Sequence, residues 1–183
     1  MKQKPNFLYK AFSTFESMKV GVLPDTHSYI DPLVLQQLTD CKLILHAGDI
    51  GSIEVINELK QISQNVVSVC GNNDNVENWQ ATEIDDLQNI PQIAEIDLPG
   101  GSLALTHGDK HYSSATWHEN LRESFPKAKA IVYGHSHRLE CDQSEDPWVL
   151  NPGAAGKTRT WDGVSCLLIN TNIEQWEVTT FRT

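Results

Sequence analysis

"IVYGHSH", residues 131–137, sets a glycine and a pair of histidines directly after a short run of buried-strand character. Ile131, Val132 and Tyr133 are β-branched or aromatic, the residue types that suit a pleated, packed surface. A core strand that stops on two imidazoles reads either as a polar strand end or as one of several strands delivering ligands to a common place. The two readings differ in what the rest of the chain must contain.

Outward from that stretch, apolar runs of strand length recur at 19–23 (KVGVL), 42–47 (KLILHA) and 65–70 (NVVSVC). Between them, 32–40 and 52–62 carry Leu and Ile at helical spacing, which predicts short amphipathic helices. Strand, helix, strand, helix, strand implies a parallel half with right-handed crossovers. The second half has another rhythm. Segments 92–98, 102–107, 130–134, 138–142, 148–151, 164–170 and 174–181 read mostly as strands, with turns at Pro99-Gly100-Gly101 and Pro152-Gly153 and one helix near 114–124. The last two strands, joined by TNIE, read as an antiparallel hairpin. The expected fold class is α/β (α+β): two β-sheets packed face to face with helices outside. No repeat, low-complexity tract or linker interrupts 18–183, read as one domain.

Residues 1–17 differ in character from the remainder of the chain. MKVGVLPDTH, from Met18, reads as the natural opening of a domain, so 1–17 is expected to be a dispensable extension, disordered or upstream of the true start. A short docking arm is the alternative, because Phe7, Leu8, Phe12 and Phe15 give it an apolar side.

The 183 residues suffice for one domain with a real core, and 39% apolar and 21% charged residues place it in the globular range. The formal net charge of −10 disfavours nucleic-acid polymers and anionic membrane surfaces, but not a small phosphate ester in a locally positive site. The four cysteines show no C-x-x-C pairing and read as reduced thiols, which suits a cytoplasmic protein. No run approaches the ~20 apolar residues of a membrane span, and the first 17 residues lack the apolar core of a signal peptide.

The residues just after each apolar run supply the second reading of GHSH. They are Asp25-Thr26-His27, then Asp49, then Asn72-Asn73-Asp74, then His107, then His135-Ser136-His137, then Asn151-Pro152-Gly153. The carboxyl ends of strands line the ligand crevice of open α/β sheets, so these donors are expected to converge. In extended chain, residues two apart face the same side, which would let Asp25 and His27 share one ion and turn His135 and His137 towards the site together. Two Asp, one Asn and four His are too many for a closed structural zinc site. They suit two transition-metal ions with open positions. Asp49, alone after its strand, is the natural bridge between ions ~3.5–4 Å apart. Two divalent ions outweigh two aspartates, so the site would stay cationic inside an acidic protein.

D-x-H, G-D, G-N-x-D, a lone His and G-H-x-H, in that order, resemble the signature of the calcineurin-like metallophosphoesterases, in particular the small single-domain bacterial and archaeal phosphodiesterases. The resemblance spans 18–183 and includes NPGA at 151–154. It implies a four-layer αββα sandwich. It implies that Asp25, His27, Asp49 and His137 hold one metal, that Asp49 bridges, and that Asn72, His107 and His135 complete the second. The ions implied are divalent, manganese first, with iron, zinc, nickel or cobalt as alternatives. The implied activity is hydrolysis of a small phosphodiester by a metal-bridging hydroxide. The implied alternatives are a phosphomonoesterase and a non-catalytic scaffold, the role of the retromer subunit that shares this fold. A homo-oligomer is compatible with all three.

One position departs from the family pattern. Many members carry a catalytic His after the motif Asn; here it is Asn73, followed by Asp74. Asn73 and Asp74 thus stand in the catalytic region, with simple anchoring of the turn as the alternative for Asp74. Asn73 and Arg138 are the candidates for substrate contact. Asn can donate a hydrogen bond but not a proton, which predicts a preference for good leaving groups. His111 and His118 could replace the missing acid but read as surface residues, and His46 reads as a satisfied histidine at the core edge. Asn151 and Gly153 read as shaping the backbone beside the site. No Gly-rich nucleotide loop is present.

Overall fold

The computed structural model describes residues 7–111 and 116–183. In chain order the elements are β1 (Phe7–Ala11), β2 (Ser17–Leu23), α1 (Pro32–Leu38), β3 (Leu43–His46), α2 (Ile53–Ile62), β4 (Val66–Ser68), α3 (Ile84–Asn89), β5 (Ile93–Leu98), β6 (Gly101–Thr106), α4 (Trp117–Ser124), β7 (Ala130–Val132), β8 (Leu139–Asp142), β9 (Trp148–Pro152), β10 (Ser165–Asn172) and β11 (Trp176–Arg182). Short 3-10 turns precede α3 and α4, at Ala81–Glu83 and Asp109–His111.

The unbroken apolar run of β2 has a direct cause: both of its faces are covered. Val20 and Val22 point into a core shared by the two sheets, while Leu23 joins a second core under helices. β2 is the hinge of a mixed five-stranded sheet ordered β11-β10-β2-β3-β4, parallel to β3 and antiparallel to β10. The other sheet, also mixed, is ordered β1-β5-β6-β7-β9-β8. Val20, Leu43 and Leu167 from one sheet and Ile96, Leu103 and Val132 from the other fill the space between them. α1 and α2 cover the outer face of the five-stranded sheet through Val34, Leu38, Val55 and Leu59. α4 covers the outer face of the six-stranded sheet, where Leu121 meets Ala104, Ile131, Tyr133 and Val149. The layers run helix, sheet, sheet, helix, as expected. The predicted parallel half and the C-terminal hairpin are both present.

Two differences have physical reasons. Part of the segment read as an extension is built into a sheet: β1 pairs in parallel with β5, Phe7 opposite Ile93 through Ala11 opposite Asp97. Leu8 and Phe12 pack against the inter-sheet core, so their apolar side covers what would otherwise be a bare strand edge. Residues 1–6 lie outside the described residues. Segment 75–90 reads as a loop in sequence; it holds α3, whose Leu87 joins Trp79 and Ile90 in the helix-side core. Six residues, two of them acidic, carry too little periodicity to announce a helix. The helix near 114–124 is described from Trp117 onward, and 114–115 lie outside the described residues.

Candidate metal centre

Asp25 and His27 follow β2, Asp49 follows β3, Asn72 follows β4, His107 follows β6, and His135 and His137 follow β7. Stacking the sheets brings all these ends to one edge. Ligand atoms of Asp25, His27, Asp49 and His137 lie within 4.8 Å of one another. Asn72 Oδ1 stands 3.1 Å from His107 Nε2 and 2.9 Å from His135 Nδ1, and His107 Nε2 is 3.5 Å from Asp49 Oδ1. Asp49 therefore faces both halves: its Oδ2 is also 3.7 Å from His27 Nε2. All seven expected ligand residues gather in one place.

The backbone achieves this in a way that spacing alone did not indicate. The pairs Asp25/His27 and His135/His137 converge, but not through extended chain. Asp25, His27, Asp49, His135 and His137 all have φ between 45° and 67°, in the left-handed region that non-glycine residues rarely adopt. Such strain is held in place by surrounding structure and concentrates at functional sites. Gly48, itself at φ 92°, lets the chain pass His107 closely; a Cβ there would lie 2.6 Å from His107 Nδ1. Asn151 supports the turn on the other side, donating to Gly134 O at 2.8 Å and Ser136 Oγ at 2.9 Å. The reading of Asn151 as a backbone-shaping residue agrees with these contacts.

Hydrogen bonds set the protonation of the rings. A carbonyl oxygen only accepts, so His107 Nδ1 donates to Ala47 O (2.8 Å) and His137 Nδ1 donates to Thr158 O (2.8 Å). In the neutral rings both Nε2 atoms are then lone pairs aimed into the centre. There His137 Nε2 meets Asp25 Oδ1 at 3.2 Å and His107 Nε2 meets Asn72 Oδ1, acceptor against acceptor. Asp25 Oδ1 is buried and has no hydrogen-bond partner. A divalent cation fits this donor set: it relieves each of these contacts and satisfies the orphaned oxygen.

Charge states agree. Burial lowers the pKa of His27 against the pull of Asp49 and Asp25, and burial with help from His107 lowers that of His135, so both rings are neutral and ligand-competent at neutral pH. Burial pushes Asp49 up, but His107, two hydrogen bonds from Asn73 and His27 outweigh it, and its carboxyl sits below the usual range. Asn73 donates to Asp49 through its backbone N–H at 2.9 Å and through Nδ2 at 2.7 Å.

The sequence profile of the calcineurin-like phosphoesterase superfamily domain matches residues 18–174. The chain belongs to that superfamily. It is 25% identical over 147 residues to a phosphodiesterase of Methanocaldococcus jannaschii, covering 74% of this chain and 83% of that one. It is 28% identical over 150 residues to a probable metallophosphoesterase of Methanothermobacter thermautotrophicus, covering 79% and 81%. Among solved structures, Vps29 of Entamoeba histolytica in complex with zinc superposes with a TM-score of 0.71 at 19% identity, over 91% of this chain and 98% of that one. An archaeal phosphodiesterase superposes at 0.66 with 20% identity, over 90% and 100%.

Around this calcineurin-like centre the remaining candidates separate. Asp74 does not face it. Its carboxylate accepts from Ile50 N (3.1 Å), Gly51 N (2.9 Å), Gly71 N (2.8 Å) and Trp79 Nε1 (3.0 Å), so the catalytic reading of Asp74 gives way to that of a buried turn anchor. Arg138 is exposed and lines a cleft of about 800 Å³ with His135, Trp117, Trp161, Glu140 and Arg159. His118 is half-buried in the lining of the cleft and is engaged by neighbours rather than free at the surface. It stands between Asp142 (Nδ1, 3.0 Å) and Tyr133 Oη (Nε2, 3.0 Å), with Glu140 at 3.4 Å, and hydrogen bonding to Glu140 raises its pKa. That cluster ties α4 to β8 beneath the cleft. His111 is half-buried beside Phe125, their ring centroids 6.1 Å apart. His46, fully buried and satisfied, is as expected.

Sequence reasoning missed Arg159. Its Nη2 lies 2.9 Å from His137 Nε2, and only the isolated arginine in GKTRTW marked it.

Proposed function

We propose that this protein is a dinuclear metal-dependent phosphodiesterase acting on a small phosphoester. The observation that carries the reading is the cluster of facing acceptors: lone pairs of His137, His107 and Asn72 and the orphaned Asp25 Oδ1, around a carboxylate shared by both halves. Asp25, His27, Asp49 and His137 would hold one ion, and Asp49 with Asn72, His107 and His135 the other. Manganese is the leading candidate, and the oxygen-and-imidazole donor set also admits iron, zinc, nickel or cobalt. When bound, the ions supply a deprotonated water near neutral pH and positive charge at the phosphoryl oxygens.

The chain's own contribution is pre-organisation. Thr158 O and Ala47 O fix which nitrogen of His137 and His107 faces inward. Asn73 holds Asp49 ionised and in one orientation. With its amide committed to Asp49 and no proton to give, Asn73 leaves the departing alcohol to water, which favours aryl over alkyl esters. The four cysteines are all free thiols, consistent with a reducing, cytoplasmic setting. Among the described residues no helix is long and apolar enough to cross a membrane. All seven positions carry ligand-competent residues, which favours the enzyme reading over a scaffold of this fold.

The test is hydrolysis of bis-p-nitrophenyl phosphate with added Mn²⁺, beside the Asp49→Ala and His135→Ala variants. Metal-dependent turnover lost in both variants is expected. A wild type without metal-dependent turnover would move the assignment to the scaffold.

A further inference from the structure

We propose that Arg159 is the phosphate-positioning residue of this centre, donating to a phosphoryl oxygen of the substrate from the cleft side. The inference rests on the metal-dependent phosphodiesterase reading, and deepens it.

His137 Nδ1 is committed to Thr158 O, so Nε2 is its ligand atom, and Arg159 Nη2 donates to that lone pair at 2.9 Å. A cation seated among Asp25, His27, Asp49 and His137 needs the same lone pair. Ion and guanidinium therefore compete for His137, and loading the site releases Arg159. Where it stands, Arg159 has no carboxylate within ion-pair distance among the described residues, unlike Arg122 in the same cleft, which is held by Asp142 at 2.7 Å.

A guanidinium beside a divalent ion is repelled unless an anion lies between them. A phosphoryl group bound to the ion provides that anion, and the planar fork of arginine matches its oxygens. The position is also built for the purpose. Arg159 has φ 51°, sharing the left-handed backbone of five ligand residues, on an exposed loop whose Trp161 borders the same cleft. Arg159 thus joins the metal centre to the space of about 800 Å³ in which the ester group would lie.

The experiment compares wild type, Arg159→Met and Arg159→Lys, each confirmed folded by circular dichroism. Inorganic phosphate is titrated calorimetrically into Mn²⁺-loaded protein, and Mn²⁺ into metal-free protein. Loss of a charge-assisted hydrogen bond predicts phosphate binding about 10- to 100-fold weaker in Arg159→Met, with a smaller loss in Arg159→Lys. Mn²⁺ affinity in Arg159→Met should equal or exceed that of wild type, because a competitor for His137 is gone. Phosphate affinity within about twofold of wild type, or a loss of Mn²⁺ affinity that accounts for the loss of phosphate, overturns the proposal. So does a wild type that takes up Mn²⁺ but no phosphate. Hydrolysis of bis-p-nitrophenyl phosphate by the same preparations separates the two readings. Arg159-dependent phosphate binding without turnover sinks the enzyme and keeps this role, whereas turnover with Arg159-independent phosphate binding does the reverse.

Discussion

Asp25 is sealed from solvent, yet only one of its two oxygens meets a hydrogen. Oδ2 accepts the His135 N–H at 3.0 Å, while Oδ1 faces the lone pair of His137 Nε2 at 3.2 Å. An asparagine would fit that geometry better without a cation, accepting from His135 and turning an N–H, in place of a bare charged oxygen, towards the His137 lone pair that Arg159 also reaches. Asp25→Asn should therefore stabilise the metal-free protein by about 1 kcal/mol, raising the thermal midpoint about 2–4 °C, while abolishing tight Mn²⁺ uptake. Scanning calorimetry in chelator and a metal titration check both halves; a lowered midpoint would mean that the carboxylate stabilises the fold on its own. D-x-H after an apolar run told which residue would stand here. It could not tell that Oδ1 is orphaned, because that depends on a ring 112 positions further along the chain.

Elements are held in register around the centre by one buried carboxylate. Asp74 gathers N–H groups from the chain entering α2, from the turn after β4 and from Trp79. Asp74→Ala strands these donors. Each charge-assisted bond is worth about 1.5–3 kcal/mol and compensation is partial, so a loss on the order of 2–4 kcal/mol is expected in urea unfolding. A cost under about 0.5 kcal/mol, the range of an ordinary surface change, would remove Asp74 from this role. β1 makes a separate prediction. Deleting residues 1–16 bares the edge of β5 and exposes the inter-sheet contacts of Leu8 and Phe12, so stability should fall by about 2–4 kcal/mol with metal stoichiometry unchanged. Equal stability of the shortened chain would return the segment to the status of a dispensable extension. The apolar side of 7–15 was legible in sequence; its partner strand was not, since β5 lies more than eighty residues away.

For the whole molecule, the buried His46 couples folding to pH. It accepts from Gly48 N at 3.2 Å and pairs with Thr26 Oγ1 at 2.9 Å beneath the turns that carry Asp25 and Asp49, and burial drives its pKa from 6.5 down to about 3. Above 6.5 neither the folded nor the unfolded state protonates it. Below that, the unfolded chain takes a proton that the folded one refuses. Its contribution is thus complete above 6.5 and is lost as pH falls towards about 3, at about 1.4 kcal/mol per unit. Urea unfolding of metal-free protein at a series of pH values should show that slope, and His46→Gln should flatten it; an unchanged slope would assign it to other groups. The parallel half, the two-sheet architecture, the C-terminal hairpin and the seven side chains that gather at the candidate centre could be read from the chain, because hydrophobic runs and the donors that end them are local patterns. Only the stacked sheets decided which ring nitrogens face inward, that Asp74 anchors rather than reacts, that α3 and β1 close the core, and that Arg159 reaches His137. Each of these depends on contacts between segments far apart in sequence, whose hydrogen-bonding and charge partners exist only once the layers have packed.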